Sequence, residues 1–162
     1  MRLIVFGLRT VDHLDTKERF YRQIEVGTLD ATPRLSEAAL RLISGRFALG
    51  VLSSHSLPRI KAVLQHLGWT RYFPLEYAIS SEGLDRKEPA NWKVWREQYR
   101  RRGLELTAVV DAGLALLQNL AAAPAFASIR KYHLTPQATS EVSGIIPITS
   151  LDQMAEYGEF GS

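Results

Sequence analysis

Four short segments carry side chains able to hold an anion or a metal ion: Gly7-Leu8-Arg9-Thr10, Ser53-Ser54, Lys87 within Arg86-Lys87-Glu88-Pro89, and Asp111. A hydroxyl and an ammonium set beside backbone N–H groups at a strand-to-helix turn suit an anion such as phosphate or sulfate. A single carboxylate suits magnesium poorly, because that ion takes near-octahedral oxygen ligands, usually with carboxylates among them. The four residues after Asp111 are Ala112, Gly113, Leu114 and Ala115, and they add none. Cysteine is absent, which excludes disulfides, thiolate nucleophiles and thiolate metal sites.

Other residues invite chemistry that their surroundings do not support. His55 has the side chain for acid–base work near its ordinary pKa of about 6.5, but no serine stands beside it in a recognisable triad, and it reads as a solvent-exposed or capping residue. Asp12 and Asp15 lie too far past the first apolar run to stand in for a residue at its tip. Trp92, Trp95 and Tyr99 recur at i, i+3 and i+7, the spacing of a buried helical stripe rather than of a base-stacking platform. Arg100-Arg101-Arg102 reads as a solvated helix end, where positive charge is favoured. With a formal charge of +3 and a pI near 9.3, the chain is only mildly basic, and nucleic acid is not the expected partner.

These residues must be positioned by strands and helices that the apolar pattern marks out. Leu3 to Phe6 predicts a buried strand, and Phe47 to Leu52, Tyr77 to Ser80, Thr107 to Val110 and Ala125 to Ile129 predict four more. Helical spacing predicts helices over Pro33 to Ser44, from Pro58 to a terminator at Gly68, over the Trp92, Trp95, Tyr99 stripe, and over Leu114 to Ala122. Asp12 to Glu25 reads as irregular, with a helical turn around Lys17 to Gln23; Gly144 to Ile148 leads to Ser150 as the N-cap of a last helix. Alternating strands and helices imply an α/β protein with a mostly parallel central sheet flanked by helices on both faces. In such sheets ligands bind at the carboxyl ends of the strands, where all four segments fall.

Taken in order and at their spacings, the four segments resemble the haloacid dehalogenase (HAD) superfamily. Val5-Phe6-Gly7-Leu8-Arg9-Thr10 is similar to its first motif, an apolar strand running into Asp-x-Asp and then Gly-Thr. Leu49 to Ser54 is similar to the second, Arg86 to Pro89 to the third, and Val109-Val110-Asp111 to the fourth. The stretch Ser53 to Phe73 resembles the small magnesium-dependent phosphatases that lack a cap, and the interval from Thr10 to Pro33 leaves no room for a large lid. The resemblance implies a three-layer Rossmann-like HAD fold without a large cap domain.

The resemblance also implies two carboxylates on the first loop, one to attack phosphorus and bind magnesium and the other to exchange protons. This sequence has Gly7 at the first position and Arg9 at the second. Glycine has no side chain, and a guanidinium with a pKa above ~12 exchanges no proton near neutrality. The expectation is a catalytically inactive, pseudo-phosphatase-like domain that binds a protein partner or a small anionic or phosphorylated ligand. No cofactor is expected; magnesium enters only if the chain is instead a divergent phosphatase, and a nucleic-acid-associated module using the basic helix is a further alternative. The anion-binding candidates are Ser53, Ser54, Lys87 and Arg9, with Asp111 a vestigial metal ligand. Arg9 and Asp111 have a second reading, as a structural ion pair across the two central strands.

At 162 residues with 46% hydrophobic and 23% charged composition, the chain suits one soluble domain, expected to span 1–158, with 159–162 reading as a cloning scar. The N-terminal apolar run is shorter than a signal peptide requires, and no run reaches the ~18 apolar residues of a membrane span, so a cytoplasmic location without membrane contact is expected.

Overall fold

Two opposite faces of one sheet are written into alternating strand residues. The computed structural model describes residues 1–7, 36–135, 142 and 144–157. Strand β1 (Arg2–Phe6) sends Leu3 and Val5 to one core and Ile4 and Phe6 to the other. Strand β2 (Ala48–Ser53) divides its residues in the same way, with Leu49 and Val51 on the second side and Leu52 on the first. Strand β4 (Glu105–Asp111) follows, but its register against β1 slips between Leu3 and Ile4. Thr107 is the residue passed over, and its hydroxyl donates to the Leu3 carbonyl at 3.1 Å.

Together with β3 (Ile79–Ser80), β5 (Arg130–Leu134) and β6 (Ile146–Ile148), these strands form a six-stranded parallel sheet in the order β3-β2-β1-β4-β5-β6. The strand order reverses between β1 and β4, which opens a crevice at their carboxyl ends.

Helices cover both faces. Helix α1 (Glu37–Ser44) is capped by the Ser36 hydroxyl, which accepts from Ala39 N, and it buries Ala39, Leu40 and Ile43. Helix α2 (Leu57–Leu67) buries Ile60, Val63 and Leu64 in the same core and ends at Gly68, whose φ of 71° is the left-handed turn that glycine adopts without strain. Helix α3 (Pro89–Arg101) and helix α4 (Leu114–Ala122) pack on the other face through Trp92, Trp95 and Tyr99 and through Leu116, Leu117 and Leu120. Each such aromatic or leucine side chain contributes about 1.5–3 kcal/mol by leaving water. Among the described residues no inserted cap domain interrupts these three layers.

The α3 stripe and the Leu114–Ala122 helix agree with the sequence reading; other elements differ. The fifth strand lies at Arg130–Leu134, not at Ala125–Ile129, where Pro124–Phe126 forms a 3-10 turn. Only Ile79 and Ser80 pair as the third strand, because Leu75–Tyr77 closes into another 3-10 turn. The final helix is 3-10 rather than α, over Leu151–Tyr157. Pro33, the Lys17–Gln23 turn and the 159–162 tail lie outside the described residues.

Candidate ligand site at the carboxyl edge of the sheet

Gly7 and Asp111 meet at the crevice between β1 and β4. The Gly7 N–H donates to the Val110 carbonyl at 2.9 Å, which extends the ladder one residue past β1. Asp111 is buried, and both of its carboxylate oxygens are taken: Oδ1 accepts from Gly113 N at 2.7 Å and Oδ2 from Arg86 Nη1 at 2.9 Å. The Arg86–Asp111 pair is well shielded, with side-chain exposures of 23% and 6%. A methyl group placed on Gly7 would stand 2.3 Å from Asp111 Oδ2 and 3.5 Å from Arg86 Nη1. The ion pair therefore fills the volume into which a side chain at position 7 would project.

Arg86 is aimed inward by the loop before α3. The Asp85 carboxylate accepts from Lys87 N at 2.9 Å, and the Asp85 carbonyl accepts from Asn91 Nδ2 at 2.9 Å. The buried Trp92 indole donates to the Arg86 carbonyl at 2.6 Å, which ties the loop to the core. Asn119 of α4 donates to the Lys87 carbonyl at 2.8 Å. This scaffold leaves the Lys87 side chain exposed, and no ion-pair partner for it exists among the described residues.

An open cleft of about 300 Å³ lies beside the pair, lined by Ser54, Leu84, Asp85, Arg86, Lys87, Asp111, Gly113, Ala115 and Leu116. Of the residues singled out from sequence, the structure thus brings Ser54, Lys87 and Asp111 together, with Gly7 directly behind Asp111. Ser53 is buried behind the cleft, where its hydroxyl accepts from His55 N at 3.3 Å. Arg9, Thr10, Asp12 and Asp15 lie outside the described residues. The partner that Asp111 takes is Arg86, which the sequence reading did not single out; the partner it expected, Arg9, lies outside the described residues. His55 corrects a second expectation: it is buried rather than exposed, because Ser80 Oγ donates to its carbonyl at 2.6 Å and draws it under β3. His133 was also missed; it pairs in register with Asp111, and its Nε2 lies 3.2 Å from the Ala112 carbonyl, to which the Nε2–H tautomer donates.

The described residues do not fit magnesium. Asp111 has both oxygens committed to donors, position 7 has no side chain, and no group of three His, Cys, Asp or Glu among the described residues could hold a metal ion. Four charged residues line the cleft, Asp85 and Asp111 against Arg86 and Lys87. With Arg86 engaged by Asp111, the Ser54 hydroxyl and the Lys87 ammonium are the groups open to a small anion.

No family model matches the chain, and no curated protein matches it. Among solved structures it is similar to a dehalogenase whose crystal structure holds an intermediate complex, with a TM-score of 0.60 and 15% identity over 90% of this chain and 65% of that one. It is also similar to a haloacid dehalogenase-like family hydrolase from Xanthomonas campestris, with a TM-score of 0.57 and 10% identity over 97% of this chain and 94% of that one. The fold is therefore that of the haloacid dehalogenase-like hydrolases, and the chain spans 65% of the dehalogenase's length. No described helix is long and apolar enough to cross a membrane.

Proposed function

We propose that this protein works by binding rather than by hydrolysis, as a HAD-like domain whose carboxyl-edge cleft holds a small anionic or phosphorylated ligand or an acidic group of a protein partner. The observation that carries this reading is the Arg86–Asp111 ion pair standing 2.3 Å from where a residue-7 Cβ would lie. A carboxylate at that position would collide with the pair, so nucleophilic attack from the tip of β1 and the present arrangement of Asp111 exclude each other. Ser54 and Lys87 are the ligand contacts in this reading; Ser53 supports the turn through His55.

The alternative is a divergent hydrolase of a phosphate ester, favoured by the two structural neighbours, a dehalogenase and a hydrolase. Incubation with an aryl phosphate and magnesium separates the two. The binding reading expects no turnover above the uncatalysed rate, and sulfate or phosphate titration that perturbs amide signals at Ser54 and Lys87. Sustained turnover that disappears in Asp111→Ala would replace it with the hydrolase reading.

A further inference from the structure

We propose that the amino edge of the sheet, opposite the cleft, binds the phosphate backbone of a nucleic acid. Along the chain, Arg100-Arg101-Arg102 is only the end of a helix. The topology adds three more arginines to it. Arg2 opens β1, Arg46 stands just ahead of β2 and Arg130 opens β5, and all six are exposed.

The end of α3 is fastened to the same edge. The carbonyl of Gly103, just past α3, accepts from the Met1 amino group at 2.9 Å, and Glu105 N donates to the Met1 carbonyl at 2.9 Å. Strands β2, β1, β4 and β5 are successive neighbours, so Arg46, Arg2 and Arg130 spread over three inter-strand steps, or roughly 14 Å. Among the described residues the acids on this edge are Glu105, Glu76 and Glu97, and Glu97 faces both Arg100 and Arg101, at 3.5 and 3.7 Å. Among the described residues six arginines stand against three glutamates on this edge, in a chain whose formal charge is only +3. The described residues of the loop above the cleft run the other way: Glu82, Asp85 and Glu88 stand there beside Asp111 against Arg86 and Lys87.

Arg2 and Arg102 are held in place before any ligand arrives. Arg2 lies over the Phe47 ring at 4.4 Å, and Arg102 donates to the Glu76 carbonyl. Fixed guanidinium groups lose less side-chain freedom on meeting phosphate oxygens. A membrane surface fits less well, because interfacial binding needs buried apolar area. The exposed large apolar side chains among the described residues are Met1 and Leu42, at the start of β1 and near the end of α1, with Leu84 and Val94 elsewhere, too few to supply that area.

The test is fluorescence anisotropy of a labelled single-stranded RNA oligonucleotide of about 20 nucleotides across a salt series. Each phosphate contact contributes about 0.7 to the slope of log affinity against log salt. Arg100→Gln/Arg101→Gln should lower that slope by about 1.4 and weaken binding roughly 25-fold at ~0.1 M salt. Arg59→Gln/Lys61→Gln, which removes the same charge from α2, should leave the slope unchanged. Absence of binding at ~50 mM salt, an equal loss in both double variants, or retention by phosphatidylserine vesicles without RNA binding would each overturn the proposal.

Discussion

Replacing Gly7 by alanine discriminates sharply, because two effects of opposite sign compete. The Gly7 φ is not positive, so its backbone admits an L residue, and in open space the substitution would stabilise the protein by about 0.4–1 kcal/mol through the unfolded chain. The space is not open. The added methyl would meet Asp111 Oδ2 at 2.3 Å and Asp111 Cγ at 3.0 Å. Asp111 cannot retreat without lengthening its bonds to Gly113 N and Arg86 Nη1, now 2.7 and 2.9 Å. Complete loss of one partner from a buried ion pair costs about 3–5 kcal/mol, and overpacking that is partly relaxed costs about 1–3 kcal/mol. Gly7→Ala is therefore expected to lower stability by about 2–4 kcal/mol, read as a lower guanidinium midpoint at unchanged m value. In an Asp111→Ala background the obstructing carboxylate is gone, and the same substitution should cost little, giving a coupling of about 2–4 kcal/mol. A Gly7→Ala protein as stable as the parent, or one losing equally in both backgrounds, would refute the claim that the ion pair occupies the position-7 volume.

Two pH dependences follow from groups away from the cleft. Glu37 accepts from the Tyr72 hydroxyl and from Arg71, which together with Arg41 hold its carboxyl below the ordinary value. Its contribution should be complete above the ordinary glutamate value and fade as pH falls below it through the lowered folded-state value; denaturation of Glu37→Gln across an acidic series should lack that part of the decline. Burial lowers the pKa of Lys131, whose amine donates to the Phe126 carbonyl. The unfolded chain then holds this proton to higher pH than the folded one does, so stability should rise with pH through that interval, and Lys131→Met should flatten the rise. The series is best kept below the ordinary tyrosine value of 10.0, since burial raises Tyr99 and a raised phenol acts in the opposite direction above it.

Much of the sheet was legible because its strands are apolar on both faces and its helices carry clean stripes; Trp92, Trp95 and Tyr99 are all buried as their spacing implied. The fifth strand was misplaced for the same reason in reverse. Arg130-Lys131-Tyr132-His133 looks like surface, yet Lys131 is buried with its amine satisfied by a carbonyl, while the more apolar Ala125–Ile129 turns at Pro124. The choice between Arg86 and Lys87 was likewise invisible in composition. It is made by the Asp85 carboxylate on Lys87 N and by the Trp92 indole on the Arg86 carbonyl, tertiary contacts that turn one cation inward and its neighbour out. An aspartate two residues before Lys87 was the available signal, since such residues cap turns through the N–H two positions on.

The parallel pairing of β1 with β4 makes positions 7 and 111 a single problem rather than two. Phe6 faces Val110 in register, so the residues just beyond them compete for one volume at the point where the sheet's order reverses. A side chain at position 7 requires Asp111 to lean away, and an Asp111 drawn toward Arg86 requires position 7 to be empty. Glycine at one position and the Arg86–Asp111 pair at the other are therefore mutually consistent, and neither can be altered alone without leaving a clash or a buried charge without its partner. An aspartate placed at position 7 would add a second carboxylate beside the first, and like charges at that separation do not both ionise readily. The absence of a side chain at position 7 and the Arg86–Asp111 ion pair are thus coupled through the topology of the sheet itself.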